Sequence, residues 1–144
     1  MSPRTQLSEV LRLKTVAADS FLSNVPADAA IVNERTGRVL ASAIEIAATS
    51  EARRRGLLGR DSLDPSVAMI IAPCWSIHTF FMRFVIDAVF VDPTGHVVKI
   101  SPDLKPWRIA VAFGAYAVIE LNGGAARRSD VHVGDRLSLR PARS

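Results

Sequence analysis

The stretch Val85-Ile86-Asp87-Ala88-Val89-Phe90-Val91 runs into Asp92-Pro93-Thr94-Gly95, and His96-Val97-Val98-Lys99-Ile100 follows. Apart from Asp87 the first segment is apolar on both faces of a strand, and its β-branched and aromatic residues favour extended backbone, so 86–91 reads as a buried strand. Pro93 presets φ at the second turn position and Gly95 tolerates positive φ near the end, so 92–95 is a turn and 96–100 the returning partner. An antiparallel hairpin is therefore the unit from which the rest is read.

Upstream, 29–32 and 38–46 are β-like runs separated by the polar, Gly-bearing Asn33-Glu34-Arg35-Thr36-Gly37, a second predicted hairpin. Thr49 reads as an N-cap, with Glu51 in the first turn and Gly56 and Gly59 as stops, predicting a helix over 50–58. Residues 61–65 form a turn and 67–72 a buried strand ended by Pro73. Downstream, 102–108 reads as an irregular loop and 116–121 as a strand ended by Asn122-Gly123-Gly124. A one-turn helix spans 125–128, and 133–140 holds a Gly turn and a closing strand. The expected fold is mainly β, α+β at most: a compact antiparallel β-barrel or sandwich of seven to eight short strands with one or two short helices, not a βαβ type. A single domain spans 29–140. Residues 1–28, bracketed by Pro3 and Pro26, form a peripheral helix or flexible arm, and 141–144 form a tail.

The 144 residues are 49% apolar and 22% charged, a globular composition. Area scaling allows a chain of this size to bury about two-thirds of its surface, so it needs no covalent staple. Eighteen basic against fourteen acidic residues leave +4, and the excess concentrates at Arg53, Arg54, Arg55 and Arg60 and in the tail from Arg127. Neither stretch is interleaved with the aromatics that a single-strand platform needs, so nucleic acid is not the expected partner. The single Cys74 excludes an internal disulfide framework and a four-cysteine zinc site, and His78, His96 and His132 lack zinc-ligand spacing. No metal or other cofactor is expected. Charges at Arg4, Glu9, Arg12, Lys14 and Asp19 interrupt any signal-peptide core, and the longest nearly apolar run, 109–119, is too short to span a bilayer. A cytoplasmic protein is the expectation.

Four side chains are candidates for catalysis. Cys74 and His78 stand four apart just after Pro73, and an imidazole within hydrogen-bond reach of sulfur would expose thiolate; the alternative is a buried structural cysteine. Asp87 and Glu120 each interrupt an apolar strand and need a partner, because desolvation penalises the charge. For Asp87 the candidates are Arg83, Arg60, the Arg53–Arg55 cluster or backbone donors. For Glu120 the alternatives are an ion pair or a general base. Strand alternation over 80–84 would set Phe80, Met82 and Phe84 on one face, with Phe81 and Arg83 on the other.

The ordered blocks Glu51-Ala52-Arg53-Arg54-Arg55-Gly56-Leu57-Leu58-Gly59-Arg60, His78-Thr79-Phe80-Phe81-Met82-Arg83-Phe84, Ile86-Asp87-Ala88-Val89-Phe90-Val91-Asp92, Val118-Ile119-Glu120-Leu121-Asn122-Gly123-Gly124 and Val133-Gly134-Asp135-Arg136-Leu137 resemble the family called domain of unknown function 192. The resemblance covers about 29–140 and implies a compact, predominantly β domain without supplying a reaction. It is to the branch carrying the His-Thr-Phe-Phe-Met-Arg-Phe block, which usually has Pro where Val85 stands. It implies Arg54, Gly56, Arg60, His78, Met82, Asp87, Glu120, Gly134 and Asp135 as candidate positions.

The leading functional expectation is a non-enzymatic binding or accessory module. A cleft lined by Phe80, Met82, Phe84 and Trp107, with His78 beside it and Arg60 and Arg108 at its rim, would take a small molecule or a partner segment. The rival is a hydrolase-like enzyme using Cys74 with His78, or His78 with Asp87 or Glu120. A third is electrostatic docking through the Arg53–Arg55 face. Oligomeric state is not readable.

Overall fold

The computed structural model describes residues 20–142. These form β1 (Ala29–Asn33), β2 (Val39–Ala41), β3 (Ala43–Ala47), α1 (Ser50–Arg55), β4 (Val67–Ile71), β5 (Ser76–His78), β6 (Ile86–Val91), β7 (Val97–Leu104), β8 (Ile109–Val111), β9 (Ala117–Asn122), α2 (Ala125–Arg128) and β10 (Leu137–Pro141). The central layer is a five-stranded sheet in the order β3-β4-β9-β6-β7. A three-stranded sheet, β10-β1-β2, and a two-stranded ribbon, β5-β8, complete the structure.

Register decides what each face buries. Pairing of β4, β9 and β6 sets Ile70, Ile119, Leu121, Val89 and Val91 on one face and Met69, Ile71, Val118, Ala88 and Phe90 on the other. The first set packs against Ile31, Leu40, Ala41 and Leu137 of the three-stranded sheet. The second packs against Leu57, Ile77, Met82, Ala110 and Ala112, from the ribbon and its loops. The molecule is thus a mainly β sandwich with cores on both faces of its central sheet, not a closed barrel. Every residue of β6 is buried, as a strand apolar on both faces requires.

Local chemistry explains the elements that hold the site. The Thr49 hydroxyl accepts from the Ala52 N–H at 3.0 Å and caps α1. Gly56, at φ +45°, stops the helix earlier than the predicted 58. In the 92–95 turn the Asp92 carboxylate accepts from the Thr94 and His96 N–H groups at 2.9 and 3.0 Å. Gly95 sits at φ +92°, where a Cβ would also strike the Leu137 carbonyl.

Three sequence expectations need correction. The run 38–46 divides at Ser42: β2 forms the hairpin with β1, whereas β3 leaves and lies parallel to β4. Residues 48–66, with α1, supply the long crossover that a parallel pair demands, so one βαβ-like connection sits in an otherwise antiparallel sheet. The count is ten strands rather than seven to eight, because of this division and because β5 and β8 are three-residue strands in segments read as aromatic and apolar stretches. The predicted loop over 102–108 starts late: β7 runs to Leu104 through a bulge, Ile86 pairing with Leu104 and Ala88 with Ser101, which accommodates Pro102. Within the segment read as an N-terminal arm, residues 20–28 are described. Phe21 is buried in the first core and its N–H donates to the Pro93 carbonyl at 2.8 Å. The rest of the arm, 1–19, and residues 143–144 lie outside the described residues. No described helix is long and apolar enough to cross a membrane.

Candidate functional site

On the second face of the central sheet, α1, the end of β4, β5 and β9 line an open cavity of about 370 Å³. Leu57, Leu58, Ile71, Ile77 and Met82 give it apolar walls; Arg54, Arg55, Cys74, His78 and Glu120 give it polar ones. A second hollow, bounded by Arg55, Gly56, Leu58, Gly59 and Arg60, adjoins it.

Glu120 arises from strand alternation. It stands opposite Met69 in β4 and Ala88 in β6, and the same row continues to Glu45 in β3. Only 4% of the residue is exposed, and its carboxyl makes no hydrogen bond to a described residue, with Oε2 wholly enclosed. Burial pushes its pKa up to about 7, and the charge of Arg60 only partly opposes this. Arg60 itself is engaged elsewhere, donating to Glu45 Oε2 at 2.7 Å.

The other cations divide by partner. Arg53 donates to the Ala48 carbonyl at 2.7 Å and to the Ser50 hydroxyl at 3.3 Å. Arg54 and Arg55 are exposed, and their guanidinium groups have no hydrogen bond or ion pair among the described residues. The Cys74 thiol donates to the Ser76 carbonyl at 3.0 Å, and burial raises its pKa. His78 Nδ1 accepts from the Phe80 N–H at 3.3 Å, and no hydrogen bond joins its ring to Cys74 among the described residues. The cavity therefore joins three of the four catalytic candidates without building a thiolate–imidazole pair.

Asp87 belongs to the opposite face, level with Leu121. It has none of the predicted arginine partners. Oδ1 accepts from the N–H groups of Asp103 and Gly124 at 2.9 and 3.0 Å, and Oδ2 from Ala126 at 2.9 Å. The fully buried carboxylate thus fastens the β7 bulge and the start of α2, an architectural task met by backbone donors. Asp135 is likewise remote: Asn33, Arg35 and the His132 N–H donate to it, and the Arg35 hydrogen bond foremost lowers its pKa to about 2. Gly134 beside it donates its N–H to Val97.

The expected aromatic cleft is also redrawn. Residues 79–82 turn rather than extend, with Phe81 at φ +64°. Met82 is buried in the second core, where it reaches the cavity, and Phe84 packs half-buried against that core. Phe80 stacks on His78 and on Trp107, with centroids at 5.0 and 5.7 Å, and exposed Phe81 meets Trp107 at 4.7 Å. The result is an aromatic ledge leading out from His78. Buried Thr79 pins it, donating to the Lys105 carbonyl at 2.6 Å and accepting from the Arg108 N–H at 2.9 Å. Arg108 lies on this ledge and Arg60 beside the second hollow. Sequence reasoning overlooked Leu57, Leu58, Ile71, Ser76 and Ile77 as cavity walls. The apolar 67–72 run opposite 116–121 was the available signal for Ile71. No group of three or more potential metal ligands occurs among the described residues.

Fold and site together define a small β-sandwich domain with an acid-lined cavity beneath an arginine-bearing helix. The chain belongs to the DUF192 family, described as Uncharacterized ACR, whose family model matches residues 31–139. A UPF0127 protein of Thermococcus sibiricus (strain DSM 12597 / MM 739) is 30% identical over 112 residues, covering 74% of this chain and 72% of its own length. A solved structure of a protein of unknown function from Novosphingobium aromaticivorans DSM 12444 is similar at TM-score 0.69 and 26% identity, over 88% of this chain and 95% of that one. Another, described as a candidate transcription regulator from Sinorhizobium meliloti 1021, reaches TM-score 0.68 at 23% identity, over 77% of this chain and 91% of that one, a likeness of fold alone.

Proposed function

We propose that this chain is a small-molecule binding module whose ligand occupies the cavity between α1, β4, β5 and β9. One observation carries the reading: the Glu120 carboxyl is buried against that cavity and has no hydrogen-bond partner among the described residues. Buried polar groups are overwhelmingly paired, and an orphan costs about 1–3 kcal/mol, so an unpaired carboxyl in the wall of that hollow fits a group that is satisfied from outside the chain. The aromatic ledge extends the same mouth through His78, which keeps part of the expected aromatic and methionine cleft in this reading. Enzymatic use of Cys74 and His78 has less support, because the thiol donates to a carbonyl and burial disfavours its thiolate.

The test fills the cavity. Ser76 lies in β5 on its wall, and Ser76→Phe places a strand-compatible ring in the void. In a thermal-shift screen of small polar molecules, hits are expected to raise the Tm of the natural chain and to lose that effect in the variant. A panel that stabilises neither protein, or both equally, overturns the proposal.

A further inference from the structure

We infer that the cavity selects a small organic anion carrying an uncharged hydrogen-bond acceptor, with the anionic group at Arg54 and Arg55 and the acceptor receiving a hydrogen bond from the Glu120 carboxyl. This rests on the binding reading above and names its ligand class. Three features of the wall converge on it. Arg54 and Arg55 line the cavity from the last turn of α1, and their guanidinium groups are without partners among the described residues, whereas those of neighbouring Arg53 and Arg60 are both engaged. Ile71, Ile77 and Met82 line the same cavity as the cations and the acid and offer nothing polar, so they suit a short hydrocarbon spacer. Glu120 is enclosed without an arginine or backbone donor on its carboxyl, unlike Asp87, so it is served as a neutral acid. A neutral carboxyl brings one O–H donor, which an acceptor-only ligand group uses fully.

The charged and titratable groups around Glu120 are Cys74 from the loop after β4, Arg53, Arg54 and Arg55 from α1, His78 from β5, and Arg60 with its partner Glu45; β4 and β6 present only Met69 and Ala88 in its row.

The probes are levulinate, which has a carboxylate and a ketone, pentanoate, which lacks the ketone, and 2-pentanone, which lacks the charge. Methyl NMR of Ile71, Ile77 and Met82 in the full chain reports cavity occupancy at constant ionic strength, with titration to about 50 mM because ligands this small bind weakly. Levulinate is expected to bind at least about tenfold more tightly than either control at pH 6, a gap of roughly 1.4 kcal/mol. With the Glu120 carboxyl raised to about 7, levulinate affinity should fall about thirtyfold from pH 6 to pH 8.5 as the acid ionises. Glu120→Gln retains an N–H donor at every pH, so it should keep levulinate binding and lose this dependence. Replacing Arg54 and Arg55 together by Gln should remove the preference over 2-pentanone. If 2-pentanone or pentanoate binds as well as levulinate, or the pH response persists unchanged in Glu120→Gln, the ligand class is wrong while the cavity remains a binding site. If none of the probes shifts the cavity methyls, the ligand class falls, and the screen against Ser76→Phe then decides the binding reading separately.

Discussion

Asp87 and Glu120 pose one problem in sequence and receive opposite answers in structure. Each is a lone carboxylate inside an apolar strand, and the two strands are neighbours, yet register turns them to opposite faces. Asp87 collects three backbone N–H groups from residues 16, 37 and 39 positions away, and those donors exist only because β7 bulges and α2 begins where they do. That burial required a partner was legible; that the partner would be backbone for one residue and nothing among the described residues for the other was not, since tertiary placement of a bulge decides it. Cys74 carries a similar lesson. Its spacing to His78 suggested an activated thiol, but its environment is a carbonyl acceptor and partial burial, and Glu120 opposes a second negative charge nearby. Native-state alkylation of Cys74 is therefore expected to show a midpoint above the free-thiol value of ~8.5 and to run slower than in the denatured chain. A midpoint well below 8 would restore the nucleophile reading.

At the scale of elements, what repeats locally was readable and what depends on partners was not. The 86–91 strand, the 92–95 turn, the Thr49 cap and the 125–128 turn of helix announce themselves through β-branched runs, turn residues and capping chemistry within a few positions. The β5-β8 ribbon does not, because three-residue strands have no periodicity to detect and are stabilised by pairing Ile77 with Ala110 over the second core. The 79–82 turn escaped for the same reason. Its shape is imposed by Thr79, fully buried, whose hydroxyl closes on the 105–108 loop and holds Phe81 and Trp107 at φ +64° and +65°. Positive φ is costly for aromatic residues and persists only where surroundings enforce it. Thr79→Val keeps the volume and removes the hydroxyl, leaving the Lys105 carbonyl and the Arg108 N–H unpaired. A loss of about 1–3 kcal/mol in urea denaturation is expected. With it, Trp fluorescence should be quenched more readily by acrylamide as the ledge loosens; unchanged stability and quenching would show that Thr79 does not hold it.

For the whole molecule, carboxylates pull the pH dependence of stability in two directions. Asp135, foremost through Arg35, sits at about 2, and Asp64, Asp92 and Asp130 are also lowered. For Asp64 the Ser66 hydroxyl is the main cause and for Asp130 the His132 ring, whereas at Asp92 burial pulls upward and is outweighed by donors from Thr94 and His96. A group lowered in the folded state binds fewer protons there than in the unfolded chain. Its stabilisation is complete above the unfolded value near 3.9 and is lost as pH falls toward about 2. Glu120 has the other sign. Raised to about 7, it binds more protons when folded, so stability declines as pH rises from the unfolded value near 4.3 through about 7, by on the order of 3 kcal/mol once complete. The two slopes meet in a maximum near pH 4 to 5, below the neutral range in spite of a net charge of +4. Urea titrations from pH 2 to 9 check this, and Glu120→Gln assigns the basic limb. The variant should match the natural chain near pH 4 and exceed it at pH 8, flattening the decline while leaving the acid limb intact. A chain made less stable by this substitution at pH 8 would mean that the carboxylate has a partner inside the fold, and the cavity would then hold no orphan acid for a ligand to meet.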